Sequence, residues 1–172
     1  MQLTREKIQE TIKRKTDYLW FEKGDYNLNI IGVRNSDTKD KVTNRFDDKL
    51  TLSYKVNGKW QFHSFDCTTD PGTHWVENIM REDGVAILKP GQYRGSHIIR
   101  KHQGRYEALG QDKPVSVYRD DNRDPWYAGC QVIAANDDWK IFMKVCRKAR
   151  DTWGNRFTYT LLESKDILHS WL

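Results

Sequence analysis

The chain has 172 residues, of which 37% are hydrophobic and 31% charged; this suits one globular domain with a real core and excludes a disordered chain. The formal net charge of +5 would attract a polyanion, either nucleic acid or an anionic cell wall, but no DNA- or RNA-binding motif accompanies it. Without such a motif, no specific nucleic-acid partner is expected. No apolar run is long enough to span a membrane or to form a secretory signal, which predicts cytoplasmic synthesis and no membrane partner.

The first predicted element is a helix over residues 5–16, capped by Thr4. Its apolar residues Ile8 and Ile12 have i, i+4 spacing and form one thin stripe. We therefore expect this helix to lie on the surface of another structural unit. The predicted organisation is an N-terminal helical segment over 1–26 and a single domain over 27–172.

Short strands dominate the middle of the chain. NLNIIGVRN predicts a strand, and the polar stretch SDTKDKVTNRFDD predicts a loop. KLTLSYKVNGKWQFHSF predicts a hairpin, in which Leu50, Leu52 and Tyr54 alternate with polar residues. Asn57 and Gly58 supply its type I′ turn. Further strands are predicted in GVAILKPG, SHIIRKH, KPVSVYRD, GCQVIA and RFTYTLLE.

The most regular pattern predicts a helix over 137–150 with Asn136 as its cap. Its apolar face has the spacing i, i+3, i+4, i+7 and consists of Trp139, Phe142, Met143 and Cys146. Many short strands and few helices predict a mainly β fold, a β-sandwich or partly closed barrel, with an N-terminal helix and one packed C-terminal helix.

Three cysteines occur without a CxxC pair, so neither a zinc site nor a disulfide framework is expected. Cys146 lies on the predicted apolar helix face, and Cys67 follows a strand, so both are interpreted as structural. Cys130 has a different setting, because Gly129 lets the backbone turn tightly before it and a short strand follows. Backbone N–H groups of residues 128–130 could hold an oxyanion there, which makes Cys130 a candidate nucleophile.

The segment WYAGCQVI, followed by a helix and FTYTLLE, resembles the Ser-x-Gly-Cys signature of the L,D-transpeptidase catalytic domain. Upstream, FDCTTDPG, GVAILKPGQY and HQGRYEALGQDKPVSVYRDDNRD follow the order found in a set of bacteriophage and Bacteroidetes proteins related to that domain. The resemblance covers residues 28–163, which is most of the chain. It implies an L,D-transpeptidase-like fold, a β-sandwich-like barrel with a flanking helix.

The resemblance also implies a peptidoglycan-directed cysteine peptidase or transpeptidase. Cys130 would attack a carbonyl of a peptide stem and form an acyl-enzyme that an amine or water resolves. The substrate and oxyanion site would include Trp126, Tyr127, Ala128 and Gly129. The implied partners are peptide stems, without cofactor or metal. The implied setting is a phage-associated cell-wall hydrolase, an endolysin or a virion-incorporated protein with virion partners, released at lysis.

The sequence departs from the family pattern just before the cysteine. The family has a histidine element there, but no histidine lies between His102 and Cys130, and Val132 stands where the family has Arg or Asn. One explanation is a different base, with His102 as the candidate because it ends a strand. A second is a catalytically inactive structural or wall-binding module of the same fold. A third is a segment omitted between Asp124 and Pro125, which an intact mass above that of 172 residues would reveal.

The remaining polar groupings predict no metal site. His97 and His102 are five residues apart, so on a regular strand they would lie on opposite faces. RDDNRDP alternates Asp and Asn like the start of a calcium loop, but the sixth position of that loop is proline and its twelfth is glutamine. A turn capped by its own Asp and Asn side chains explains the stretch equally well.

Overall fold

A computed structural model describes residues 2–36, 46–69, 87–118 and 131–168. The helices are α1 (Arg5–Arg14), α2 (Asn136–Trp153) and α3 (Ser164–Leu168). The strands are β1 (Asn29–Arg34), β2 (Asp48–Val56), β3 (Lys59–Thr68), β4 (Ile87–Leu88), β5 (Gly91–His102), β6 (Tyr106–Gln111), β7 (Val117–Tyr118), β8 (Val132–Ile133) and β9 (Phe157–Glu163).

A seven-stranded sheet, curled into a half-barrel, dominates the fold and has the order β6-β5-β9-β1-β2-β3-β8. β1 and β9 run parallel at its centre, the other neighbours are antiparallel, and β4 pairs with β7 in a separate small sheet. The prediction of a mainly β fold with an N-terminal and a packed C-terminal helix is confirmed. Within the described ranges, no helix combines the length and hydrophobicity needed to cross a bilayer.

Both faces of the sheet are covered. The α2 helix packs on one face, over a core that includes Leu50, Leu52 and Leu161. The α1 helix covers the other face through Ile8 and Ile12, which are both fully buried. Thr51 and Ser53, which alternate with the leucines of β2, are therefore buried as well, since each side of this central strand faces a packed layer.

The helix boundaries follow the sequence patterns with small differences. Thr4 caps α1 as predicted, because its hydroxyl accepts from the Lys7 amide at 3.3 Å. The prediction that Asn136 caps α2 is wrong: Asn136 is already helical and extended Ala135 precedes it. The helix also continues beyond residue 150 to Trp153, where Gly154 forms the C-cap and its amide donates to the Arg150 carbonyl.

Two hairpin turns each contain two consecutive residues with positive φ, although the β2–β3 loop has two residues and the β5–β6 loop has three. Asn57 (φ 51°) and Gly58 (φ 74°) join β2 to β3, and the predicted type I′ turn is confirmed. Gln103 (φ 51°) and Gly104 (φ 72°) join β5 to β6 in the same left-handed region. The first hairpin follows the sequence pattern, whereas β6 was not predicted from the sequence.

Candidate functional site

One end of the sheet collects polar residues from separate parts of the chain, and we call it the loop end. Its members are Arg34, Asp48, Thr69 and Gln131, together with the backbone carbonyl of Leu88. Segments 37–45, 70–86 and 119–130, which lie outside the described ranges, are each flanked by strands that meet there. The described residues at this end are joined by side-chain hydrogen bonds between separate strands, so this end is the candidate site.

The Asp48 carboxylate organises the loop end. Asp48 is only 2% exposed. One of its oxygens accepts from the Asn35 amide at 2.8 Å. The other accepts from the Thr69 amide at 2.8 Å and from the Thr69 hydroxyl at 2.6 Å. A buried carboxylate with several donors is held rigidly, so Asp48 fixes the ends of β1, β2 and β3 relative to one another.

Arg34 extends this network to β4. Its Nε donates to the Thr69 hydroxyl at 2.9 Å, and one terminal nitrogen donates to the Thr69 carbonyl at 3.0 Å. The other terminal nitrogen donates to the Leu88 carbonyl at 2.8 Å. The planar guanidinium has its donors in a fixed arrangement. These bonds therefore also fix the orientation of the end of β1, where Arg34 lies.

Gln131, which lies directly before β8, is bonded to Tyr159 of β9 and to Thr69, the residue after β3. Its Oε1 accepts from the Tyr159 hydroxyl at 2.6 Å, and its Nε2 donates to the Thr69 carbonyl at 3.4 Å. The Tyr159 hydroxyl lies over Gly32, where any Cβ would overlap it. A glycine on β1 therefore provides the room through which a β9 tyrosine reaches Gln131.

The described cysteines are structural. Cys67 and Cys146 are both fully buried, and the prediction that Cys146 packs in the core is confirmed. Burial raises the pKa of both thiols, and the neighbouring Asp48 raises that of Cys67 further. Neither thiol is therefore suited to act as a nucleophile, because the reactive species is the thiolate.

Several predicted site residues lie outside the described residues. They are Trp126, Tyr127, Ala128, Gly129 and Cys130. The RDDNRDP stretch, including Asp124 and Pro125, also lies outside the described ranges. Among the residues that the structure describes, no cluster of His, Cys, Asp and Glu could hold a metal ion.

His102 is the last residue of β5, as the sequence predicts for a strand end. Its half-buried ring lies against Tyr106, with ring centroids 5.6 Å apart. Tyr106 in turn meets Trp139 edge-on at 5.8 Å, and Glu107 pairs with Arg147 at 2.9 Å. The β5–β6 hairpin therefore crosses α2, and these contacts bring His102 towards the first turn of that helix.

His97 has a separate environment in the core. Its Nδ1 lies 2.7 Å from the Ser96 hydroxyl, and its ring meets Tyr159 edge-on at 5.7 Å. Burial lowers the pKa of His97 to about 4, and the Arg100 charge contributes. His97 is therefore neutral at neutral pH and is linked to Gln131 through Tyr159.

The loop end was not predicted from the sequence, although one signal for it is present. The core face of β2 contains Leu50, Leu52 and Tyr54, and the same alternation, continued two residues back, reaches Asp48. On β1 the alternation from Ile30 likewise reaches a charged residue at the strand end. A charged residue in phase with a buried face indicates a buried polar contact, because an unpaired charge would be costly there.

The loop end acts as a rigid polar frame. A buried carboxylate and a guanidinium hold the ends of four strands, and Gln131, the residue after Cys130, is bonded to that frame through Thr69. Such a frame can position a neighbouring reactive group without taking part in bond formation. Comparisons with protein-family models, with curated proteins and with solved structures found no match.

Proposed function

We propose that the chain is a peptidoglycan-directed cysteine peptidase or transpeptidase of L,D-transpeptidase-like fold, with Cys130 as nucleophile and peptide stems as substrate. The observation that carries the proposal is the anchoring of Gln131, the residue directly after Cys130, by Tyr159 and Thr69. A nucleophile benefits from attachment to a rigid element, because attack on a carbonyl requires a fixed approach.

Three further observations support the proposal. The curled β-sheet with a packed helix agrees with the architecture that the resemblance implies. Burial of Cys67 and Cys146 leaves Cys130 as the cysteine to test for nucleophilic chemistry. The net charge of +5 suits association with an anionic wall polymer.

In the proposed reaction, His102 takes the thiol proton and the Cys130 thiolate attacks a carbonyl of the peptide stem. Backbone N–H groups of residues 128–130 stabilise the oxyanion. The C–N bond breaks, and the departing amine takes the proton from His102. An acceptor amine then gives transpeptidation, or water gives hydrolysis, and either one restores the free thiol.

A catalytically inactive structural or wall-binding module of the same fold is the second candidate function. It is favoured by the histidine environments, since His97 is engaged by Ser96 and has a pKa of about 4, which makes it a weak base. The ring of His102 packs against Tyr106. In this alternative the loop end serves the wall-binding surface, and Cys130 has no chemical role.

Cys130→Ala distinguishes the two functions. We expect muropeptide cleavage or exchange to fall by about a thousandfold or more, while the melting temperature stays unchanged. His102→Gln should lower the same activity if this histidine is the base, and His63→Gln, at a stacked histidine on β3, is the matched control. Unchanged turnover in Cys130→Ala would refute the catalytic proposal. Wall binding that survives this substitution, without a thiol adduct in the wild type, would support the inactive module.

A further inference from the structure

We propose that the β5–β6 hairpin and α2 together form a binding surface for single-stranded nucleic acid, which is bound without regard to base sequence. We call it the hairpin–helix surface. It consists of an aromatic pair and four basic residues, namely Tyr106, Trp139, Lys101, Arg105, Lys140 and Lys144. The inference is independent of the reaction proposed for Cys130.

The aromatic pair leaves one ring open to solvent. Tyr106 is 51% exposed, although its ring meets Trp139 edge-on with centroids 5.8 Å apart. Trp139 is half-buried and packs against the core, so it supports one side of the tyrosine. Covering an exposed aromatic ring is favourable, so a flat ligand gains free energy by stacking on Tyr106.

The hairpin contributes two exposed basic residues next to this ring. Arg105 directly precedes Tyr106, and Lys101 of β5 lies opposite Glu107 of β6. Residues directly opposite each other on antiparallel strands have their side chains on the same face, and Glu107 pairs with Arg147 of α2 at 2.9 Å. Lys101 therefore lies on the face of the hairpin that is turned towards α2.

The α2 helix contributes two more exposed lysines beside the hairpin. Lys140, Lys144 and Arg147 have i, i+4, i+7 spacing and share one helix face, which the ion pair of Arg147 with Glu107 places next to β6. Lys140 and Lys144 are about 6 Å apart along the helix axis. Successive phosphates of an extended strand have a similar separation, so the two lysines suit neighbouring phosphates.

These two elements contain most of the net charge of the chain. Residues 98–111 and α2 have eight basic and four acidic side chains, so they account for +4 of the formal +5. Two of the acidic residues are already paired, Glu107 with Arg147 and Asp137 with Lys140 at 3.8 Å. The excess positive charge attracts a polyanion to this side of the molecule.

The exposed ring favours a single strand over other polyanions. Among the ion pairs between described residues, none involves Lys101, Arg105 or Lys144, so these cations are available for phosphates. An anionic wall polymer would meet the same cations but has no flat base to place on Tyr106. Every nucleobase has a π face, and single-strand binding without sequence preference combines stacking on aromatic rings with backbone contacts to cations.

The test is the fluorescence anisotropy of a labelled oligothymidylate titrated with the full chain. Four cations predict a slope of about −3 in the logarithm of affinity against that of salt concentration, so binding should be about 50-fold weaker at 200 mM than at 50 mM salt. Tyr106→Ala should weaken binding about tenfold and leave this slope unchanged, whereas Tyr106→Phe keeps the ring and the affinity. Trp153→Ala is the control, because Trp153 is 52% exposed at the other end of α2.

Substitution of single lysines tests the electrostatic part of the surface. Lys101→Gln and Lys144→Gln should each weaken binding and make the salt slope shallower by about 0.7, because each removes one phosphate contact. Lys59→Gln, at an exposed lysine that begins β3, should change neither quantity. The melting temperatures of these variants should equal that of the wild type, since the substituted side chains are exposed.

The inference is overturned if the wild type does not bind the oligothymidylate at 50 mM salt, or if Tyr106→Ala binds it as tightly as the wild type. It is also overturned if the chain is retained on purified peptidoglycan through Tyr106 but does not bind the oligonucleotide, because the surface would then be a wall contact. The catalytic proposal fails separately, since it is read from turnover by Cys130→Ala and not from oligonucleotide binding.

Discussion

Each end of the sheet contains an aspartate that accepts hydrogen bonds from backbone amides, but the two aspartates hold different things together. At the turn end, which comprises Asp25, Asn57 and Gly58, the Asp25 carboxylate accepts from the two turn amides at 2.7 and 3.2 Å. At the loop end, the buried Asp48 carboxylate joins the ends of β1, β2 and β3. The same chemistry stabilises one turn in the first case and a meeting point of strands in the second.

The difference lies in how far apart the contributing residues are in the sequence. The Asn57-Gly58 pair specifies its turn by itself, and Asp25 adds to a conformation already favoured. At the loop end the contacts of Asp48 and Thr69 span sequence separations of 13, 21 and 62 residues. No short stretch specifies that arrangement, so it forms only when the whole sheet has assembled.

The largest change in the free energy of unfolding that tests this comparison is expected when each carboxylate is removed in turn. We expect Asp48→Ala to lower the free energy of unfolding by about 4 kcal/mol, because three donors at the loop end lose their acceptor in a buried setting. Asp25→Ala should cost about 1 kcal/mol, since its donors can turn to water. Urea titration of both variants measures the difference, and equal losses would contradict it.

A pH effect of intermediate size should come from the core histidine His97, which lies beside the end of β9 that is farther from the loop end. His97 pairs with Phe157, the first residue of β9, whereas the loop-end residue Arg34 pairs with Glu163, the last. Burial lowers the pKa of His97 to about 4, from an ordinary value of 6.5. Above pH 6.5 neither state binds the proton; as the pH falls from 6.5 to 4, only the unfolded state does. Stability should therefore fall over that window, by about 3 kcal/mol in total.

The measurement for His97 is the free energy of unfolding at pH 7.5 and pH 4.5 in the wild type and in His97→Gln. The variant should lose less stability on acidification than the wild type, because its side chain does not titrate. Comparing how much the free energy of unfolding changes between the two pH values cancels the contribution of the carboxylates, which both proteins share. An equal change in the two proteins would show that His97 does not contribute.

The candidate site was predictable only in part. The helical spacing that includes Cys146 is a local pattern, and it correctly predicted a buried thiol. The role of Gln131 could not be predicted, because its partners Tyr159 and Thr69 are distant in sequence and the bond needs the space over Gly32. The sequence pattern therefore predicts which residues are buried better than it predicts which polar residues form hydrogen bonds with each other.

The two hairpins show the same limit for the fold. Both turns place two consecutive residues at nearly the same positive φ values, but only the β2–β3 turn has the Asn-Gly sequence typical of that geometry. In the β5–β6 turn, Gln103 occupies the position of Asn57. Glutamine is not typical of the left-handed region, so the turn and β6 were not predicted from the local sequence.

Reciprocal exchange of these two residues gives the smallest predicted effect. Gln103→Asn should raise the free energy of unfolding by about 0.5 kcal/mol, because asparagine adopts the left-handed conformation at lower cost. Asn57→Gln should lower it by a similar amount, since the φ of Asn57 is the same. The double variant should lie near the wild type in urea titration. If both single variants lower stability, tertiary contacts of the β5–β6 turn, and not its local geometry, have selected Gln103.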